Sequence, residues 1–202
     1  MGNPVLAPKE RFTYRQYRTW PDEERWELIE GQAWSMSPAP LRRHQAILTR
    51  LFLPLATLFK GKACQVFVAP FDVLLPRGDE EDDEVDTVVQ PDLVVYCDSS
   101  KLTERGARGA PDLAVEILSP STSKKDQSDK FELYEKRGVR EYWIVDPAGK
   151  WLQIYRLVKD DKGACRFDSG ELREPFRDYS PIASRVVEGF SVDPGELFAD
   201  LD

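Results

Sequence analysis

A mixed α/β (α+β) class is what the order of periodic segments predicts. A helical apolar stripe over 41–59 is followed by strand-like runs at 64–75, 88–96 and 113–118. A further helix and a hairpin then lie between 123 and 158. The 202 residues are expected to form one domain, with an N-terminal helix and hairpin over 10–36, a core over about 41–160, and C-terminal strands and turns over 161–202. A chain of this size buries a substantial core without disulfides or structural zinc.

Residues 10–20 predict a short helix stopped at Trp20-Pro21, because the residue before proline avoids the helical region. Over 25–36, two short runs flank Glu30-Gly31 and predict a hairpin, which Ser37-Pro-Ala-Pro40 ends. Ile47, Leu48, Leu51, Leu55 and Leu58 recur at three- and four-residue steps, an amphipathic helix that Pro54 interrupts. Cys64–Leu75 reads as one strand or as two broken at Pro70, and Val88–Tyr96 as a further strand. The acidic segment 78–86 is expected as a solvated loop, and 99–109 as a polar, basic connection. Leu113–Leu118 is a strand. Ser123-Lys-Lys-Asp126 matches a helix start and Gly138 a helix stop. Residues 141–145 and 151–158 flank Asp146-Pro-Ala-Gly149 as a hairpin, and Pro194–Phe198 is a terminal helical turn.

Composition narrows the chemistry. The single histidine, His44, excludes zinc hydrolases of the two-histidine type, whereas carboxylate sites for magnesium remain open. Cys64, Cys97 and Cys165 lack zinc-type spacing and read as reduced structural thiols. No segment approaches the roughly 20 apolar residues of a membrane span, and residues 1–10 lack the apolar run of a secretory signal, so a cytoplasmic protein is expected. The net charge of −8 opposes non-specific nucleic-acid binding over the whole surface. Arg42, Arg43, Lys101, Arg105, Arg108, Lys124 and Lys125 nevertheless leave room for a local basic lip. No glycine-rich phosphate loop is present, so no nucleotide cofactor is expected.

Three ionisable residues stand out by position. Glu116 lies inside the apolar run 113–118, where an uncompensated carboxylate costs several kcal/mol to desolvate and so asks for a metal, a cation or a proton. Asp92 follows Pro91 at the head of another apolar strand, and Lys130 sits on the next helix. Adjacent strands presenting two carboxylates make a site for magnesium or manganese, with the Ile117 backbone carbonyl as a further ligand and the lysine beside an attacking water. Alternation puts Glu116 on one face with Ala114 and Leu118. Asp126 and Lys130, four apart on one helix, can pair.

This arrangement resembles the PD-(D/E)XK nuclease superfamily, and more closely the Uma-type restriction endonuclease family. The matching residues are Glu27-Leu-Ile-Glu-Gly31, Ser37-Pro-Ala-Pro40 with His44, Gln90-Pro-Asp-Leu-Val-Val95, Val115-Glu-Ile-Leu-Ser-Pro-Ser-Thr122, Asp126 with Lys130, Tyr134, and Gly138-Val-Arg-Glu-Tyr-Trp-Ile-Val-Asp-Pro147. As an ordered set they are specific; Pro-Asp alone recurs at Pro111-Asp112. Two residues after Glu116 the superfamily signature has lysine and this chain has Leu118, a gap the Uma-type family shares, with Lys130 as the replacement.

The resemblance implies a restriction-endonuclease-like core, a central mixed sheet flanked by helices, and Mg2+- or Mn2+-dependent hydrolysis of DNA. Asp92, Glu116 and the Ile117 carbonyl would hold the metal, Lys130 would orient water, and Glu27 would hold a second metal or support the first. Asp126 and His44 would play supporting parts, and a homodimer would supply the two sites needed to cut both strands. The alternative is a catalytically inactive module that keeps the nuclease fold for binding or scaffolding.

Overall fold

Residues 10–21, 24–36, 40–119, 128–174 and 180–201 are described by the structure, a computed structural model. The first helix is shorter than its sequence pattern: α1 is Tyr14–Tyr17, with Gln16 closing a capping box on Thr13. β1 (Trp26–Ile29) and β2 (Gln32–Ser35) form the expected hairpin. Glu30 and Gly31 both have positive φ, 47° and 79°, as a two-residue type I′ turn requires. α2 (Arg42–Phe59) buries the stripe Ile47, Leu51 and Leu55 and turns Pro54 outward.

Two apolar runs each divide between two sheets. β3 (Gln65–Val68) and β4 (Asp72–Leu74) flank a cis Ala69–Pro70 bond. The run 88–96, expected as one strand, is β5 (Val88–Val89) and β6 (Leu93–Tyr96), because Pro91 has no N–H for a ladder and the chain crosses between sheets there. The connection 99–109 holds two further strands, β7 (Leu102–Thr103) and β8 (Gly106–Arg108). β8 runs parallel to β4, so close that a Cβ on Gly106 would collide with the Asp72 carbonyl oxygen.

The remaining elements are β9 (Leu113–Ile117), α3 (Asp129–Arg137), β10 (Glu141–Asp146), β11 (Trp151–Lys159), β12 (Cys165–Phe167), β13 (Glu171–Arg173), β14 (Ile182–Ala183), β15 (Ser191–Val192) and α4 (Pro194–Leu197). Gly138 ends α3 in the left-handed conformation, φ 85°. The helix start expected at 123–126 lies outside the described residues.

The first sheet has the order β2-β1-β5-β4-β8-β7, the second β12-β11-β10-β9-β6-β3 with β13 beside β11. In the second, β9 and β10 are parallel and joined through α3, while the other pairs are antiparallel. One face of this mixed sheet packs Val115, Ile117 and Trp143 against α2 and the C-terminal Phe190 and Leu197. Its other face packs Val94, Ala114 and Tyr142 against Leu133 and Tyr134 of α3 and against Val73 and Val89 of the first sheet. β9 and β6 therefore lie at the centre of the protein, and the site is built on them.

Three expectations are corrected. Cys64 and Cys97 form a disulfide: β3 and β6 pair with Gln65 opposite Tyr96, which sets the two cysteines, one residue further out on each strand, face to face. Cys165 is free and exposed. The acidic segment is held rather than merely solvated, since Asp83 pairs with Arg15 and Arg18, Asp86 with Arg11 and Arg77, and Asp82 with Arg108. The basic residues are in part spent rather than free, since Arg108 is committed to Asp82, Lys101 to the Ala110 carbonyl and Arg42 to the Leu201 carbonyl, while Arg105 stays exposed beside Arg108 on one cleft. Lys124 and Lys125 lie outside the described residues. Among the described residues no helix is long and apolar enough to cross a membrane.

Candidate active site

β6 and β9 pair antiparallel as far as Leu93 opposite Val115, and Asp92 and Glu116 are the next residues along the two strands from that pair. Glu116 sits with Ala114 and Leu118 on the face toward α3, as the alternation predicts. It is 3% exposed, and its Oε1 accepts hydrogen bonds from Lys130 Nζ at 2.7 Å and the Tyr134 hydroxyl at 2.8 Å. Lys130 and Tyr134 are four apart on α3 and share one helix face, which is why a single helix supplies both donors.

Lys130 is buried as well, and its ammonium bridges to a second buried carboxylate, Glu27 of β1, at 2.9 Å. Glu27 Oε1 also accepts the Gln90 backbone N–H at 2.9 Å. The lysine thus compensates the carboxylate that the strand would otherwise desolvate.

Asp92 lies at a wetter edge, its side chain 21% exposed. Its Oδ2 accepts the Ile117 N–H at 2.7 Å and stands 3.2 Å from His44 Nε2 in the first turn of α2. His44 Nδ1 is buried without a partner among the described residues. The Leu118 N–H bonds to Val145 of β10, so the intervening Ile117 turns its N–H and carbonyl to the other edge, toward Asp92. In this register Pro91 stands opposite Ile117, and it has no N–H with which to close the ladder on that carbonyl.

These residues fit a hard divalent cation. The donors at the strand edge are carboxylate and carbonyl oxygens, the set magnesium prefers, and one or two carboxylates plus waters suffice for it. Two carboxylates, Glu27 and Glu116, share the one ammonium of Lys130, so the buried bridge keeps a formal negative excess that a dication offsets. Among the described residues no three His, Cys, Asp or Glu side chains converge as a cage, so the protein would contribute few ligands.

The structure joins Glu116, Lys130 and Glu27 in one buried group and Asp92, the Ile117 N–H and His44 in a second, adjacent along β9 through Glu116 and Ile117; Asp126 lies outside the described residues. Glu27 pairs with Lys130 and accepts the Gln90 N–H. Sequence reasoning assigned no role to the Gln90 N–H, and named Tyr134 only as a matching residue. Its spacing of four from Lys130 is the signal that places it on Glu116. The second Pro-Asp is structural, since Asp112 accepts the Cys97 N–H and pairs with Arg140.

A mixed sheet between helices, with two carboxylates on adjacent strands and a buried lysine between acids, defines a restriction-endonuclease-like protein. The sequence profile described as "Uma2: Putative restriction endonuclease" matches residues 14–194, and the chain belongs to that family. It is 25% identical over 160 residues to the "Uncharacterized protein slr1290" of Synechocystis, covering 78% of this chain and 79% of that protein. Its fold is similar to the crystal structure of "a putative nuclease belonging to DUF820" from Anabaena variabilis, with a TM-score of 0.71 and 21% identity, covering 94% of this chain and 99% of the other.

Proposed function

We propose that this protein is a magnesium-dependent DNA endonuclease that hydrolyses phosphodiester bonds. The observation that supports the reading is the buried bridge Glu27–Lys130–Glu116, with Asp92 bonded to the N–H of Ile117, the residue after Glu116. Asp92, Glu116 and the Ile117 carbonyl would hold Mg2+ or Mn2+, which would supply an activated water and Lewis-acid stabilisation of the phosphate. His44 and the Ile117 N–H fix the Asp92 carboxylate, and Tyr134 fixes that of Glu116. Glu27, held by the Gln90 N–H, aims Lys130, whose ammonium orients the attacking water and faces the charge growing on phosphorus. Asp126 would support Lys130. A cytoplasmic homodimer of two such sites accounts for cutting both strands.

The inactive-scaffold reading is favoured by one observation: the Lys130 bridge satisfies the buried carboxylates without any metal. Calorimetry with manganese on the wild type and Glu116→Ala, with supercoiled plasmid incubated in parallel, separates the two. Binding and nicking that both disappear in the variant support the nuclease. Absence of binding together with intact plasmid refutes it and leaves the scaffold.

A further inference from the structure

We infer that the cleft at the Gln90 end of the first sheet is a subsite for one unpaired nucleotide of the nucleic-acid strand, beside the cleavage site. This rests on the nuclease reading and names its substrate as single-stranded or locally opened nucleic acid. The cleft has a volume of about 460 Å³, within the roughly 300–1,000 Å³ of small-ligand sites. Tyr17, Trp20 and Trp26 line it, with ring centroids 5.4 Å apart for Tyr17–Trp20 and 5.7 Å for Trp20–Trp26. The rings meet at 54° and 69°, so a base stacks on the face of one of them, whatever its sequence.

The lining is of mixed charge, with Arg18, Arg25 and Arg105 beside Glu24 and Asp72. Arg25 lines the cleft, and its Nη2 and Nε donate to Gln90 Oε1 at 2.8 and 3.2 Å. The Gln90 amide donates in turn to Asp72 Oδ1 at 2.8 Å and to the Tyr17 hydroxyl at 3.2 Å. This relay fixes the guanidinium plane, and a pre-oriented guanidinium is the group that best matches phosphate. Arg105, exposed on the same cleft, adds a second cation, whereas Arg18 is already paired with Asp83.

Gln90 also joins the cleft to the chemistry. Its backbone N–H donates to the Glu27 oxygen that receives Lys130, and Asp92 follows two residues later. Trp26 opens β1, Asp72 opens β4 and Gln90 follows β5, so the cleft lies at the end of the sheet where the chain crosses to Asp92. A strand whose phosphate rests over Asp92 and Glu116 passes a neighbouring base across that end. An aromatic-walled cleft admits one extruded base and not a paired one. The acidic body, −8 overall with Asp82 and Asp83 near Arg18, opposes a continuous phosphate track along a duplex.

The test is anisotropy of a labelled single-stranded oligothymidine against a hairpin duplex of equal length, in chelator so that nothing is cut, with tryptophan fluorescence read alongside. The single strand is expected to bind at least about tenfold tighter and to quench tryptophan emission. Trp20→Ala and Arg25→Ala should each weaken it by roughly 5- to 150-fold and remove the preference over duplex. Trp20→Phe keeps a stacking ring and should retain most of the affinity with smaller quenching, the remainder coming from Trp26, which separates stacking from misfolding. Equal binding of the duplex, or folded Trp20 and Arg25 variants that lose nothing, would overturn the assignment. Because binding is read without metal, it survives a failure of cleavage. Glu116-dependent nicking without single-strand preference would refute the cleft alone.

Discussion

Lys130→Met keeps the length and apolar stem of the side chain but removes the ammonium 2.7 Å from Glu116 Oε1 and 2.9 Å from Glu27 Oε1. The three side chains are 3%, 4% and 2% exposed, so water cannot take the place of the lost cation. Removing one member of a buried ion pair typically costs about 3–5 kcal/mol. Here the Tyr134 hydroxyl still donates to Glu116 and the Gln90 N–H to Glu27, which holds the expected loss near the lower end, about 3 kcal/mol. For a chain of this length that corresponds to a fall in Tm of roughly 6–12 °C. Urea unfolding followed by tryptophan fluorescence in chelator, with calorimetric melting beside it, measures the loss. Lys130→Met/Glu116→Gln should recover part of it, with a coupling of about 1–3 kcal/mol, because the second change removes one stranded charge. A loss below about 1 kcal/mol would show that the ammonium does not hold these carboxylates, and the explanation of the buried Glu116 would fall with it.

Pro91→Ala restores an N–H opposite the Ile117 carbonyl and should weaken manganese binding by about tenfold without unfolding the protein; unchanged affinity would remove that carbonyl from the ligand set. Under non-reducing, denaturing conditions a thiol reagent should find one free thiol, Cys165, and three after reduction; three at the outset would contradict the Cys64–Cys97 pairing. Burial, then the Asp72 carboxylate, pushes the Tyr17 hydroxyl well above the phenol value of 10.0, and burial does the same to Tyr96. Folded values raised above the unfolded ones contribute stability that is complete below about pH 10 and is lost as the pH rises beyond it, since the unfolded chain releases those protons first. Alkaline absorbance titration should therefore show Tyr17 and Tyr96 ionising only with unfolding, and reversible ionisation of all seven tyrosines with circular dichroism intact would refute this.

Much of the site was legible because its logic is local. Glu116 within Leu113–Ile117 declares a buried carboxylate, and the alternation of that strand sends it to the face with Ala114 and Leu118. The helix after it had to bring Lys130 within reach, and the hairpins 26–35 and 141–159 follow from turn chemistry and period. What could not be read is which partner meets which across the sheets. The disulfide depends on the register of β3 against β6, and the Glu27–Lys130 contact joins residues 103 positions apart, brought together by β1 of one sheet and a helix on the other. The run 64–75 offered a break at Pro70 without showing that the two halves join different sheets, the run 88–96 read as a single strand, and nothing indicated that arginines of the N-terminal region and β8 would hold the acidic loop.

The sequence by itself determined the elements, the apolar faces and the demand for compensation at Glu116, because propensity, period and desolvation act on neighbouring residues. Only the tertiary structure decided that the compensation is an ammonium shared with Glu27, that Pro91 leaves the Ile117 carbonyl facing Asp92, and that an aromatic cleft opens at Gln90. Those outcomes rest on strand register and sheet crossing, which are settled by packing between segments far apart in the chain.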